Sequence, residues 1–226
     1  DDAAVEINVT PDRGYALSIR GVAREYSHST GAAFRDPAAA VTVTPGTGFA
    51  VAVDDPAPIR GRAGASVFVT RAVRGIDPGR PTPPWMSSRL RLAGIRSISL
   101  PVDITNYVML EIGQPIHGYD LARLAGGLTV RRAAPGETLR TLDGQLRTLD
   151  PEDLLIADDS GPIGLAGVMG GETTELSDAT TDVLIEAANF DPVSIARTAL
   201  RHKLPSEASR RFERGVDPAV AAPAAQ

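Results

Sequence analysis

Short blocks of apolar residues, alternating or recurring every three to four positions, are separated along this chain by glycine and proline. Val5–Val9 alternates like a short strand. Thr10-Pro11-Asp12-Arg13-Gly14 then turns into a helix expected from about Ala16 to Ser29 and closed by Gly31. Val41–Thr44 and Phe49–Val53 read as a hairpin around Pro45-Gly46-Thr47-Gly48, and Ser66–Ile76 as a longer strand. A proline-rich loop, Asp77–Pro84, leads into a helix bearing Trp85, Met86, Leu90 and Leu92 that ends at Gly94.

Asp103 is a good N-cap for a helix to about Ile112, with Ile104, Val108 and Ile112 on one face and Gly113 and Pro115 as stops. Leu128–Arg132 reads as a strand. Asp143-Gly144, between Thr138–Leu142 and Gln145–Leu149, is the strongest hairpin signal in the chain. Leu154–Ala157 and Ile163–Val168 suggest another hairpin, and Val183–Ala187 an apolar strand. Asp191-Pro192 opens a helix to about His202, and Ser206 caps a last one that ends before Gly215. Strands and helices do not alternate regularly. The expected fold is therefore α+β, a layered sandwich of antiparallel sheets with helices packed outside. Residues 1–218 read as one compact unit and 219–226, rich in alanine, as a linker-like tail. The start at Asp1-Asp2, without methionine, suggests a piece of a longer protein.

Composition removes several chemistries. There is no cysteine, so disulfides, thiolate metal sites and a cysteine nucleophile are excluded; this fits a reducing cytoplasm. No apolar run reaches the length of a membrane helix. The net charge of −5 argues against a nucleic-acid coat, but its distribution is uneven. Arg197, Arg201, Lys203, Arg210, Arg211 and Arg214 face only Glu207 and Glu213 in their segment, a local +4 that leaves −9 elsewhere. That strip is either a solvated helix face or a contact for an acidic partner.

Nucleotide-loop, nucleophile-elbow, zinc-helix and calcium-loop signatures are missing, and no two of the three histidines lie close in sequence. A histidine-based metal site is not expected. His117 follows a helix stop in Gly113-Gln114-Pro115-Ile116-His117-Gly118, a place for either a turn histidine or a group that orients water. His28, on a helix, and His202, near a helix C-terminus, have adequate structural explanations. Glu186 interrupts the apolar strand on the same face as Leu184 and Ala188, where a carboxylate is expensive unless paired or functional. Glycines recur from Gly161 to Gly171, allowing tight strand packing or a ligand wall. Ser206 precedes Glu207-Ala208-Ser209-Arg210-Arg211, a capped helix start.

These features occur together in one family. Pro101-Val102-Asp103-Ile104-Thr105-Asn106-Tyr107-Val108-Met109-Leu110-Glu111 through His117 resembles the beta chain of bacterial phenylalanyl-tRNA synthetase. So do Gly170-Gly171-Glu172, Leu184-Ile185-Glu186-Ala187-Ala188-Asn189-Phe190 and Glu207 through Pro218. The opening Thr10-Pro11-Asp12-Arg13 through Gly21-Val22-Ala23-Arg24-Glu25 is similar to the same subunit, and the resemblance is weakest across 32–66. It corresponds to the third and fourth modules of that chain, the editing domain.

The resemblance implies hydrolysis of tyrosine wrongly esterified to phenylalanine tRNA. A synthetic pocket shaped for phenylalanine cannot strongly reject an added hydroxyl, whereas a second site offering that hydroxyl a buried partner can select for it. It further implies that Glu186 selects the phenol, that His117 lies near the scissile ester, and that Thr105 and Asn106 line the same pocket. Pro115 and Gly170 correspond to walls, and Ser206 and Ala208 to the small residues at the far edge. Many relatives carry threonine at Ser206, so the outline differs there. Arg197, Arg201 and Arg210 are candidates for guiding the acceptor end. The implied partners are phenylalanine tRNA and the synthetase alpha subunit, with no membrane. The fragment is expected to use no cofactor, ATP and magnesium belonging to the parent ligase, whose aminoacylation site is not in this segment. A non-catalytic scaffold that holds subunits and tRNA is the alternative.

Overall fold

The computed structural model describes residues 3–46 and 48–226. After a 3-10 turn at Pro11–Ala16, the helices are α1 (Ile19–Thr30), α2 (Pro84–Leu92), α3 (Leu100–Ile112), α4 (Pro192–His202), α5 (Glu207–Phe212) and α6 (Ala221–Ala224). The strands are β1 (Val51–Asp54), β2 (Ala65–Arg74), β3 (Ile116–Asp120), β4 (Leu128–Arg132), β5 (Thr138–Arg140), β6 (Leu146–Thr148), β7 (Leu154–Asp158), β8 (Gly161–Leu165), β9 (Met169–Gly170) and β10 (Asp182–Phe190). They form a five-stranded sheet ordered β1-β4-β7-β8-β9, a three-stranded sheet ordered β2-β10-β3, and the β5-β6 hairpin. Every pairing is antiparallel except β1 with β4. The fold is α+β and layered, as its pattern implies.

Two apolar clusters explain the layering. Leu184, Ala188 and Phe190 of β10 and Tyr119 of β3 share one core with Val130, Leu155, Ile156, Ile163 and Leu165 from the larger sheet. Ile195 of α4 and Phe212 of α5 close it. The opposite face of β10, with Ile185 and Ala187, meets Val108 and Ile112 of α3 and the alanines of α6. Successive residues of β10 thus point into different cores, as strand alternation requires. Helix starts follow local chemistry: the Asp191 carboxylate accepts from the Ser194 amide at 2.9 Å, with Pro192 in the first turn.

Several expectations need correction. Val5–Val9 forms no strand: Val5 is 83% exposed and nothing pairs with it. The hairpin before Val51 is not formed either; residues 42–46 are irregular, and Thr47 of its turn lies outside the described residues. Val51–Asp54 pairs instead with distant β4, in parallel. Asp103 is not the N-cap of α3. The helix starts earlier, after Ser99, because Pro101 suits its first turn. Fully buried Asp103 accepts instead from the Ile98 amide at 3.0 Å and from the hydroxyls of Thr82 and Ser97, pinning the preceding loop. Ile104 is exposed while Val108 and Ile112 pack inward. Residues 219–226 are not a free linker: Val220, Ala221, Ala224 and Ala225 are buried, because alanine lets a helix lie close against the sheet.

Candidate functional site

Register brings the two anomalous residues together. β10 runs antiparallel to β3 with Glu186 directly opposite His117. Directly opposed side chains in such a pair project to the same face a few ångströms apart. Tyr119, two residues after His117, lies on that face too, its ring edge-to-face with the imidazole at 4.6 Å between centroids. The Tyr119 hydroxyl donates to Glu186 Oε2. Glu186 is 6% exposed and forms no ion pair among the described residues. Its other oxygen, Oε1, has no hydrogen-bond partner among them.

A cavity of about 280 Å³ opens over this group. Thr105 and Asn106 enter from α3, Pro115 from the approach to β3, His117 from β3 itself, Glu186 from β10, Gly170 from β9, and Ser206 and Ala208 from the start of α5. All the substrate-side candidates read from the sequence therefore share one wall. Tyr119 and Leu142 line it as well and escaped sequence reasoning. For Tyr119 the usable signal was its place two residues from His117, on the same strand face.

Local packing fixes the geometry. Gly113 adopts φ 84°, a left-handed turn that ends α3 and sends the chain directly into β3. A Cβ on Gly170 would lie 2.7 Å from His117 Cε1 and 2.8 Å from Nε2, so glycine is what lets β9 lie against the imidazole. The Ser206 hydroxyl accepts from the Ser209 amide at 3.0 Å and donates to the Val168 carbonyl at 3.2 Å, tying α5 to the wall. Thr105 Oγ1 donates to the Val102 carbonyl at 2.7 Å. Neither hydroxyl is hydrogen-bonded to an imidazole, so neither is activated as a nucleophile in this arrangement.

Burial dominates the electrostatics. It pushes Glu186 up to about 7, against the lowering effect of the Tyr119 hydroxyl. It pulls His117 down to about 4. Tyr119 is held well above its usual range by burial and by the Glu186 charge and hydrogen bond. At neutral pH the imidazole is uncharged, with one nitrogen to donate and one to accept. Among the described residues no group of three or more histidines and carboxylates is placed to hold a metal.

A second cavity of about 440 Å³ adjoins the first, with Thr105, His117 and Leu142 in both walls. Of the arginine strip, Arg197 and Arg201 line neither cavity and meet acids of another segment, whereas Arg210 and Arg211 share Glu207, which lines the first cavity. Arg197 meets Glu152 at 2.6 Å, and Arg201 meets Glu152 at 2.8 Å and also buried Asp153. Arg210 meets Glu207 at 3.1 Å.

Residues 64–226 match the family described as the B3/4 domain. The chain belongs to the B3/4 domain family. This B3/4 domain is 74% identical, over its whole length, to a phenylalanine-tRNA ligase beta subunit of Leifsonia xyli subsp. xyli, covering 27% of that protein. It is 57% identical to the same subunit of Streptomyces avermitilis (all of this chain, 27% of that one) and 56% identical to that of Thermobifida fusca (96% and 25%). The B3/4 domain thus spans about a quarter of these relatives' length. A solved N-terminal fragment of the phenylalanyl-tRNA synthetase beta subunit from Pyrococcus horikoshii superposes with a TM-score of 0.43 at 16% identity, over 85% of this chain and 59% of that one, too loosely to carry an argument. Among the described residues no helix is long and apolar enough to cross a membrane.

Proposed function

We propose that this B3/4 domain is the proofreading site of a phenylalanine-tRNA ligase, hydrolysing tyrosine esterified to phenylalanine tRNA. The observation that carries the reading is Glu186 facing His117 across one strand pair, inside a cavity of amino-acid size. Glu186 Oε1 accepts the phenol of a tyrosyl group. A phenylalanyl group leaves that oxygen dry and unpaired, which costs about 1–3 kcal/mol, or roughly 10- to 100-fold in selection.

With the ring seated against Glu186, the ester lies toward His117, and the RNA side occupies the adjoining cavity. The neutral imidazole accepts a hydrogen bond from a water and orients it, assisted by Thr105 and Asn106. The water oxygen attacks the carbonyl carbon, the ester C–O bond breaks, and the departing ribose oxygen takes a proton. Free tyrosine and uncharged tRNA result. Positioning supplies much of the rate for so labile a bond. Gly170, Pro115, Ser206 and Ala208 shape the walls. Aminoacylation with ATP and magnesium, and assembly with the alpha subunit, belong to the full ligase. A scaffold role is the less favoured reading, because Glu186 is held by a hydroxyl rather than locked to a cation.

The test is release of tyrosine from matched Tyr- and Phe-charged tRNA, by this chain and by a full-length synthetase carrying it. Hydrolysis of the tyrosyl ester, lost on His117→Ala, is expected. Inertness of both preparations toward Tyr-tRNA supports the scaffold.

A further inference from the structure

Matched charges attract a polyanion weakly, so the arginines worth locating are those without a carboxylate partner. Among the described residues, Arg35, Arg60, Arg62, Arg80, Arg91 and Arg96 are exposed and enter no ion pair or side-chain hydrogen bond; of these, Arg80, Arg91 and Arg96 belong to the segment that borders a cavity. An open hollow of about 600 Å³ is lined by residues of this segment, 78–99. Arg80 lines it directly. Arg91 stands one helical turn beyond Ser87, a lining residue, and so shares its face of α2. Arg96 immediately precedes Ser97, another lining residue.

This hollow is continuous with the site. It shares Pro78, Ile98, Ser99 and Asp178 with the second cavity, which shares Thr105, His117 and Leu142 with the first. A trough therefore runs from Glu186, past His117, to Arg80, with Arg91 and Arg96 next in sequence or helical turn to other lining residues. Of the neighbouring carboxylates, Asp178 lines the hollow and, with Glu175, the second cavity. Asp77 caps the Gly79 amide at 3.0 Å, and Asp103 is buried and satisfied. The proline-rich loop at 78–84 is stiff, so little ordering accompanies contact.

We infer that Arg80, Arg91 and Arg96 form the phosphate-contact surface that leads the single-stranded end of an RNA into the trough. This rests on the proposed hydrolase reading for its direction. It places the RNA away from Arg197 and Arg201, whose charges meet Glu152 and Asp153, and assigns no phosphate to Arg210, which meets Glu207.

The test uses the chain with an RNA hairpin ending in a single-stranded acceptor terminus, titrated at several salt concentrations. Arg80→Glu/Arg91→Glu/Arg96→Glu is expected to weaken binding roughly 100-fold at low salt and to lower the salt slope by about 2–3. Arg197→Glu/Arg210→Glu is expected to change affinity less than about threefold. The triple variant should still hydrolyse tyrosyl-adenosine, which carries no phosphate, at the parent rate. Parent-like binding and slope in the triple variant, loss in the double variant instead, or a parent that binds no RNA at low salt would each overturn the surface. A parent that binds through the three arginines yet cleaves neither ester leaves the surface standing and removes the hydrolase.

Discussion

Replacing Glu186 with glutamine should unmask a pH dependence that the parent conceals. Burial raises Glu186 from 4.5 to about 7 and lowers His117 from 6.5 to about 4. The raised acid binds its proton more tightly when folded. Its stability contribution is full below pH 4.5 and lost as pH rises through 7. The depressed imidazole works the other way, its contribution falling away as pH drops from 6.5 towards 4. From pH 8 to pH 5, Glu186 therefore adds about 2.5 kcal/mol and His117 removes about 2 kcal/mol. The two nearly cancel. Glutamine keeps an acceptor for the Tyr119 hydroxyl but cannot ionise, and burial alone depresses His117, so the imidazole's slope survives the change. Urea unfolding followed by circular dichroism at pH 8, 7, 6 and 5 should show Glu186→Gln losing about 2 kcal/mol as pH falls across that range, while His117→Gln gains about 2.5 kcal/mol. A Glu186→Gln profile parallel to the parent's would refute the reasoning.

Three further outcomes follow from the same geometry. Tyr119→Phe removes the hydroxyl that holds Glu186 down, so the carboxyl should titrate above 7; a ¹³C-glutamate NMR titration identical to the parent's would uncouple the two. Gly170→Ala drives a Cβ into the His117 ring and should cut tyrosyl-ester hydrolysis roughly 100-fold with the melting temperature little changed; full activity would show that the ring is free to move aside. Ala221→Leu overfills the contact between α6 and the sheet and should cost about 1–3 kcal/mol in urea unfolding; a neutral result would mean that the C-terminal helix is not docked as described.

What was readable in the residues depended on how local the cause was. The Asp191-Pro192 start, the Asp143-Gly144 hairpin and the Ser206 cap rest on chemistry within four residues, and all three form as read. Glu186 stood out because one carboxylate broke an apolar face, a signal strand alternation preserves. The pairing of Glu186 with His117 was not legible, since register between strands nearly seventy residues apart leaves no local mark. β3 itself was hidden by its shortness and by Gly118 at its centre. Val5–Val9 misled because alternation makes a strand only where a partner offers hydrogen bonds. The ion pairs of Arg197 and Arg201 were not legible for a related reason: their acids, Glu152 and Asp153, lie on a distant turn that counting charges along the chain does not bring near.

The proposed selection of tyrosine by Glu186 is tested most directly by the ratio of hydrolysis rates on Tyr- and Phe-charged tRNA, measured for the parent and for Glu186→Ala. The parent should clear the tyrosyl ester and spare the phenylalanyl one, and the variant should lose roughly 10- to 100-fold of that preference while remaining folded. An unchanged ratio in a folded Glu186→Ala variant would contradict the assignment.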